Sequence, residues 1–189
     1  MRSLDSIFDL ARDGRKTMNP YCTLAKKSID YYFKTGKIME EPKDLPSEMK
    51  DKKAGVFVTL KHGKELRGCI GTFLPTQKSV AKEIIENAVA AATRDNRFLP
   101  ITKEELPELS YEVSILSPPK PVKDTKKLDP KKYGIIIKCE DGRTGLLLPD
   151  LEGVDTVEKQ ILIACQKGAI NPLTDKISIF CFTVKKYSS

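Results

Sequence analysis

The sequence Leu-Arg-Gly-Cys-Ile-Gly at residues 66–71 places a cation, a thiol and two glycines inside a segment that otherwise has the composition of a β-strand. Side chains of an extended chain alternate between two faces, so we expect Arg67 and Cys69 to share one face. A guanidinium next to a sulfur stabilises the thiolate. Gly68 and Gly71 weaken a strand, and they indicate a bulge, a tight bend or the close approach of another backbone or a ligand.

The residues around this stretch predict a β-hairpin followed by a helix. Two strands, at residues 54–61 and 65–72, are separated by the short polar connection at residues 62–64, which contains a glycine. The apolar-rich residues 79–93 then predict a helix, which leads into a loop. After that loop, a third strand is predicted at residues 109–116.

The rest of the chain predicts helices and strands with identifiable start and stop residues. Asn19, Pro20 and Gly36 bracket a first helix as its N-cap, first helical residue and C-terminal glycine. Asp155 with Glu158 has the pattern of a capping box that opens a later helix. The other predicted elements are a short helix at 3–12, a hairpin of strands at 133–139 and 144–148, and a final strand at 176–184. We find no internal sequence repeat.

The motif segments together resemble the AMMECR domain family, whose hallmark is the sequence at residues 66–71. The similarity continues through three further segments, at residues 94–98, 112–116 and 145–149. In all it covers residues 20–184, which makes a chance match to one short motif a poor explanation. Asn96 replaces the proline that is usual in the family's Asp-Pro-Arg-Phe run, and this difference affects only the local turn.

The family resemblance implies a fold, a domain organisation and partners. It implies an α+β fold with a mainly antiparallel sheet flanked by helices, in two unequal lobes with a cleft between them. The single domain is expected at residues 19–187, with residues 1–18 as an N-terminal extension. In many prokaryotes the family occurs beside a Memo-like protein and a radical SAM protein, so the resemblance implies these two as partners.

The charge distribution favours an anion site over a general basic surface. The chain has 189 residues, a formal charge of +7 and a pI near 9.1, which alone permits nucleic acid, an acidic partner or an anionic ligand. Lysine supplies most of the positive charge, whereas arginines are concentrated in and beside the motif segments, where a fixed fork of donors suits a carboxylate or phosphate. Nucleic-acid binding is the third hypothesis, because aromatic residues are few and basic residues are scattered among 26 acidic ones.

The cysteines and the N-terminus indicate a reducing compartment. The five cysteines are odd in number and widely spaced, which disfavours a disulfide framework and a structural zinc site. His62 is the only histidine, so we expect neither a histidine-rich metal centre nor a cofactor. No N-terminal apolar region or bilayer-length apolar stretch is present, and a cytoplasmic location is expected.

The predicted site combines a thiol, two carboxylates and three arginines. We expect Cys69, Asp95 and Glu112 as catalytic residues, and Arg67, Gly68, Gly71, Arg94 and Arg97 as ligand-binding residues. In the first hypothesis, the protein is an enzyme that acts on an anionic small molecule or a peptide carboxylate. Arg67 orients this ligand and favours the thiolate, Arg94 and Arg97 bind its charge, and Asp95 or Glu112 serves as the base.

Alternative explanations remain open for the same residues. A free cysteine is more often a small buried hydrophobe than a nucleophile, and this applies to Cys69. Arg97 could pair with Asp95 and simply fix the loop. The second functional hypothesis is therefore a non-catalytic, partner-binding module that works with the Memo-like and radical SAM proteins.

Overall fold

The structure, a computed structural model, describes residues 18–189. Within that range the helices are α1 (Pro20–Thr35), α2 (Ser47–Lys50), α3 (Val80–Thr93) and α4 (Val157–Lys167). The strands are β1 (Val56–His62), β2 (Glu65–Thr72), β3 (Leu109–Leu116), β4 (Lys120–Pro121), β5 (Gly134–Cys139), β6 (Thr144–Leu147), β7 (Ile177–Phe182) and β8 (Val184–Ser188). Short 3-10 helices cover Leu106–Glu108 and Thr125–Lys127. The helix expected at residues 3–12 lies outside the described residues.

The strands form two four-stranded sheets, and the α+β class is confirmed. The first sheet has the order β2-β1-β3-β8 and the second the order β4-β7-β5-β6. The β1–β2, β1–β3, β4–β7, β5–β6 and β5–β7 pairs are antiparallel. The chain divides into two compact units: the first runs to Ile115 and takes in Lys186–Ser189, and the second is Leu116–Lys185.

One face of the first sheet packs against the helices α1 and α3. Val56, Val58 and Leu60 of β1 are fully buried in a core that includes residues of α1 and α3. Because side chains alternate along a strand, Phe57 and Thr59 lie on the opposite face. We call this opposite face of β1, β2 and β3 the outer face. It is the face that carries the candidate site.

Most predicted boundaries are confirmed, and two differences have clear causes. Helix α1 begins after the N-cap Asn19 and ends at Gly36, which has a positive φ of 71°. Helix α4 starts one residue later than predicted, because the Thr156 hydroxyl rather than Asp155 accepts the N–H of Lys159. The strand predicted at residues 176–184 corresponds to β7, which ends at Phe182; after Thr183 the chain forms a further strand, β8, which was not predicted and belongs to the first sheet.

The two units share one connectivity although no repeat is visible in the sequence. In the first unit the order β1-β2-α3-β3 gives the strand arrangement β2-β1-β3, and in the second the order β5-β6-α4-β7 gives β6-β5-β7. In each unit a glycine of the hairpin's second strand lies against a helix carbonyl. A Cβ on Gly68 would overlap the carbonyl oxygen of Ala91, and one on Gly145 would overlap that of Ala164.

Within residues 18–189, none of the helices has both the length and the apolar character that a bilayer span requires.

Candidate functional site

Cys69 lies on the edge strand β2 with its side chain on the outer face. It is paired with Thr59 of β1, and its Sγ lies 3.2 Å from Thr59 Oγ1. The cysteine is partly exposed, whereas Cys22 and Cys165 are buried. The thiol is therefore not a buried core group, and it has a hydroxyl that can donate a hydrogen bond to its ionised form.

A β-bulge at Arg67 determines which face Cys69 occupies. The register of the hairpin shifts by one residue between Leu60 and Lys61, and Arg67 is the extra residue on β2. An unshifted register would pair Cys69 with Val58, whose side chain is fully buried in the core. The bulge thus brings the thiol to the outer face. The bulge also interrupts the alternation of side chains between the two faces of β2. The expectation that Arg67 and Cys69 share a face depended on that alternation.

Arg67 is bonded to the loop after α3 rather than directed at a ligand. Its Nε donates to Glu105 Oε1 at 2.6 Å and its Nη2 to Glu105 Oε2 at 3.1 Å. Nη1 donates to the carbonyl of Leu99 at 2.8 Å, and Nη2 also donates to that of Pro100 at 3.3 Å. The Arg67 hydrogen bond is the main reason that the pKa of Glu105 is lowered. We expected Arg67 to bind the ligand, but these bonds make it an anchor of the loop.

Glu105 is a residue that the sequence interpretation missed. The Thr102 N–H donates to Glu105 Oε2 at 2.7 Å, as in one half of a capping box. Threonine followed three residues later by glutamate is the sequence pattern of that motif, so the signal was present in residues 102–105. What the pattern does not reveal is the distant partner Arg67.

Asp95 and Arg97 hold the main chain of Cys69 from outside the sheet. The Cys69 N–H donates to Asp95 Oδ2 at 2.8 Å, and Arg97 Nη2 donates to the Cys69 carbonyl at 3.3 Å. Asp95 in turn accepts the Nε of Arg97 at 2.9 Å and its Nη2 at 2.7 Å. We call this arrangement the edge clamp. It pairs main-chain groups that an edge strand otherwise leaves free.

The edge clamp makes Asp95 a poor proton acceptor, although we expected it as a candidate base. Its side chain is only 3% exposed, and both of its oxygens accept hydrogen bonds. The Arg97 side-chain hydrogen bond is the largest cause of its strongly lowered pKa, and the Cys69 N–H lowers it further against the opposing effect of burial. Asp95 is thus an ionised structural group at neutral pH.

Arg97 is the cation bonded to the main chain of Cys69. Its pKa is raised, first by the hydrogen bond that it donates to Asp95 and, in smaller part, by the Cys69 side chain. The side chain of Arg97 is 55% exposed. Nε and Nη2 are bonded to the clamp, whereas the two N–H groups of Nη1 have no acceptor within residues 18–189. Arg97 therefore fixes the loop and keeps donors that no group of the described residues accepts.

Glu112 shares the outer face with Cys69 but does not touch it. Thr59 of the central strand β1 is paired with Glu112 of β3 on one side and with Cys69 of β2 on the other. Glu112 and Cys69 are therefore two strand spacings, about 10 Å, apart. Lys61 Nζ lies 3.5 Å from Glu112 Oε2, and the Glu112 side chain is 23% exposed. Of the two carboxylates expected as bases, Glu112 is the one that retains an unbonded oxygen.

Packing accounts for both motif glycines, which we expected at a ligand. Gly68 faces the carbonyl of Ala91 in α3 without room for a side chain. At Gly71 a Cβ would overlap the Phe57 ring and the carbonyl oxygen of Val56. The prediction of a bulge and of a close backbone approach is therefore confirmed, and the approaching backbone belongs to a helix.

The three arginines expected at the ligand do not share one cluster of bonds: Arg67 bonds Glu105 and Arg97 bonds Asp95, and Arg94 bonds neither acid. Arg94 is the C-cap of α3 and its N–H donates to the carbonyl of Ala90. Its side chain is exposed, and it makes no hydrogen bond or ion pair with the part of the chain that the structure describes. Over the same residues, no group of three or more His, Cys, Asp or Glu side chains is arranged to hold a metal ion.

Comparisons with known proteins agree with the motif segments. The family model described as AMMECR1 matches residues 22–187. A Thermotoga maritima protein is 49% identical over 170 residues, covering 89% of this chain and 97% of its own length. A Clostridium acetobutylicum protein is 42% identical, covering 92% of this chain, which spans 36% of that longer relative. The crystal structure of an uncharacterized Pyrococcus horikoshii protein matches with a TM-score of 0.82 at 33% identity, covering 89% of each chain.

Proposed function

Because the chain belongs to the AMMECR1 family and two of its motif segments meet at Cys69, we propose that the protein is an enzyme with a reactive thiol. Its substrate is an anionic small molecule or a peptide carboxylate. One observation carries the proposal: the partly exposed Cys69 Sγ lies 3.2 Å from the Thr59 hydroxyl, and the Arg97 guanidinium donates to the main-chain carbonyl of the same cysteine. A cation and a hydroxyl donor are the groups that stabilise a thiolate.

Each residue has a defined role in this proposal. Cys69 is the nucleophile, and Thr59 donates a hydrogen bond to its thiolate. Arg97 stabilises the thiolate and binds the anionic group of the substrate through Nη1, while Asp95 holds the guanidinium in place. Glu112 is the candidate base and acts on a group of the bound substrate, because it lies two strand spacings, about 10 Å, from Cys69, which is too far for a direct hydrogen bond or for one bridging water.

The test is alkylation of the native protein by iodoacetamide between pH 5 and 9, read for each cysteine by peptide mass mapping. Cys69 is expected to label fastest at neutral pH, and the buried Cys22 and Cys165 slowest. Cys139 is a matched control, because Arg143 Nη2 lies 3.7 Å from its Sγ, while no hydroxyl of the described residues bonds that sulfur. Should Cys69 remain unlabelled until the protein unfolds, the proposal is wrong.

A Thr59→Val variant tests the local geometry without a change of size. One hydrogen bond to a charged group contributes about 1.5–3 kcal/mol, so the variant should slow Cys69 labelling at neutral pH about tenfold or more. Labelling of Cys139 should stay the same. An unchanged Cys69 rate in a folded Thr59→Val protein would remove the hydroxyl from the mechanism.

A second candidate function, a partner-binding module for the Memo-like and radical SAM proteins, is favoured by Leu99. Leu99 is 84% exposed, and the Arg67 bond to its carbonyl holds the loop in which it lies. It is an apolar residue at a fixed position, at which a contact with a partner protein can be tested. Co-purification of those partners that is lost in Leu99→Ser but kept in Cys69→Ser would favour this role over chemistry at the thiol.

A further inference from the structure

The free edge of β2 continues beyond the edge clamp. Cys69 directs its N–H and its carbonyl away from β1, to Asp95 and Arg97. The register between Cys69 and Gly71 is continuous, and alternate residues of a strand direct these groups to the same side. Gly71 therefore also directs its N–H and carbonyl away from β1. Within residues 18–189 neither group has a hydrogen-bond partner, because β2 is the edge of its sheet.

The strand is held rigidly on both sides of this free position. The edge clamp fixes Cys69, and the Thr72 hydroxyl donates to Glu83 Oε1 at 2.6 Å. Glu83 is buried and also accepts the N–H groups of Thr76 and Gln77. An edge that is already fixed loses little conformational entropy when a second strand pairs with it.

Arg97 offers hydrogen-bond donors for an anion at Cys69, two residues from Gly71 on the same edge of β2. Cys69 and Gly71 are two residues apart, which is about 6.6 Å along a strand. Arg97, bonded to the Cys69 carbonyl, has two N–H groups on Nη1 that no acceptor among the described residues 18–189 bonds. A peptide that runs antiparallel to β2 with its penultimate residue opposite Gly71 would have its last residue opposite Ile70. Its terminal carboxylate would then reach the level of Cys69 and Arg97.

From this geometry we infer that the substrate is an extended peptide with a free C-terminus, which adds a strand to β2. Gly71 exchanges two main-chain hydrogen bonds with the penultimate residue, and Arg97 Nη1 binds the terminal carboxylate. The Phe57 ring lies across Gly71 on the outer face and offers an apolar contact to the side chain of that residue. The inference rests on the proposed function and names its substrate class, since a small anion without a peptide backbone would use Arg97 alone.

Amide hydrogen exchange, measured for each residue by NMR on the full chain, tests the inference without any mutation. In the free protein, the Gly71 amide should exchange quickly and the Ile70 amide, which points to β1, slowly. Millimolar acetyl-Thr-Val-Thr-Val with a free carboxylate should slow the Gly71 amide about tenfold or more, with Ile70 as the internal control.

Three matched probes identify the contacts. The same peptide with a C-terminal amide should need about tenfold more peptide for equal protection, because it lacks the charge that Arg97 binds. The peptide N-methylated at its penultimate residue, and acetate alone, should leave Gly71 unprotected. An unprotected Gly71 at the highest concentration of the free-carboxylate peptide, or equal protection by the N-methylated one, overturns the inference.

The outcome is separable from that of the alkylation experiment. Protection of Gly71 with an unreactive Cys69 would leave a peptide-binding edge without thiol chemistry. A reactive Cys69 with an unprotected Gly71 would leave the thiol and exclude the peptide.

Discussion

Replacing Asp95 by asparagine should destabilise the protein through the edge clamp, since the residue is almost the same size but cannot accept at both of its terminal atoms. The carboxylate accepts four hydrogen bonds: the N–H of Cys69 and the N–H, Nε and Nη2 of Arg97. Asparagine retains the bonds to one oxygen at most. When the asparagine Nδ2 takes the place of Oδ2, it faces the Cys69 N–H and two donors meet. The bonds from the Cys69 N–H and from Arg97 Nη2 are then lost.

The expected loss in the free energy of unfolding follows from these two lost hydrogen bonds. A hydrogen bond to a charged group is worth about 1.5–3 kcal/mol, and the Cys69 bond keeps this value because Asp95 is buried. The Arg97 bond is worth about 1 kcal/mol or less, because that guanidinium is half exposed and screened by solvent. We therefore expect a loss of about 2–4 kcal/mol, or about 1–2 M in the urea midpoint.

The assay is urea unfolding followed by circular dichroism at a series of pH values. The folded-state pKa of Asp95 is lowered, so the stability it contributes is present above the unfolded pKa of about 3.9 and is lost as pH falls. The difference between wild type and Asp95→Asn should therefore be constant from pH 5 to 7 and shrink below about pH 4. Asp141→Asn is the control, because Asp141 makes the same local pair with Arg143 but lies exposed and binds no strand. Equal midpoints for wild type and Asp95→Asn, or equal losses for Asp95→Asn and Asp141→Asn, would refute the clamp.

Two further predictions concern the hairpin that carries the thiol. Gly68→Ala should lower the free energy of unfolding by about 3 kcal/mol or more, because helix and strand backbones must separate. Gly63→Ala, in open space at a φ of 59°, should cost only about 1–2 kcal/mol; thermal melting that ranks the two in the opposite order contradicts the packing argument. The imidazole of His62 should titrate by NMR above its ordinary pKa of 6.5, because the Glu108 hydrogen bond raises it. The shift should disappear in Glu108→Gln, and a His62 titration that Glu108→Gln leaves unchanged would assign the shift to another cause.

Local features of the fold could be predicted because local residues determine them. The caps of α1, the bounds of β2 and those of β3 follow from turn residues, periodicity and composition within each segment. The break at Thr183 could not be found in this way, because the two strands it separates join different sheets. Strand pairing between residues far apart in sequence leaves no local pattern.

The motif segments name the residues of the candidate site but not their contacts. Cys69, Asp95 and Arg97 were all among the expected residues, and the structure places them in direct contact. Arg67 was expected on the same face as the thiol, because a strand was assumed to alternate without interruption. A single bulge changes the face of every residue after it, so Thr59 could not be recognised as the neighbour of the thiol.

Because the two units share one connectivity, features that occur in both can be separated from features that occur in only one. Both have a glycine beneath a helix carbonyl, and both have an arginine near it that pairs with an acid of the following loop, Arg67 with Glu105 and Arg143 with Asp175. These common features are what the motif needs in order to fold. After the glycine, however, the first unit has Cys69 and the second has Leu146, and after the helix C-cap the first has Asp95 and the second has Ala169. The thiol and the edge clamp are therefore the features that the first unit has and the second unit lacks.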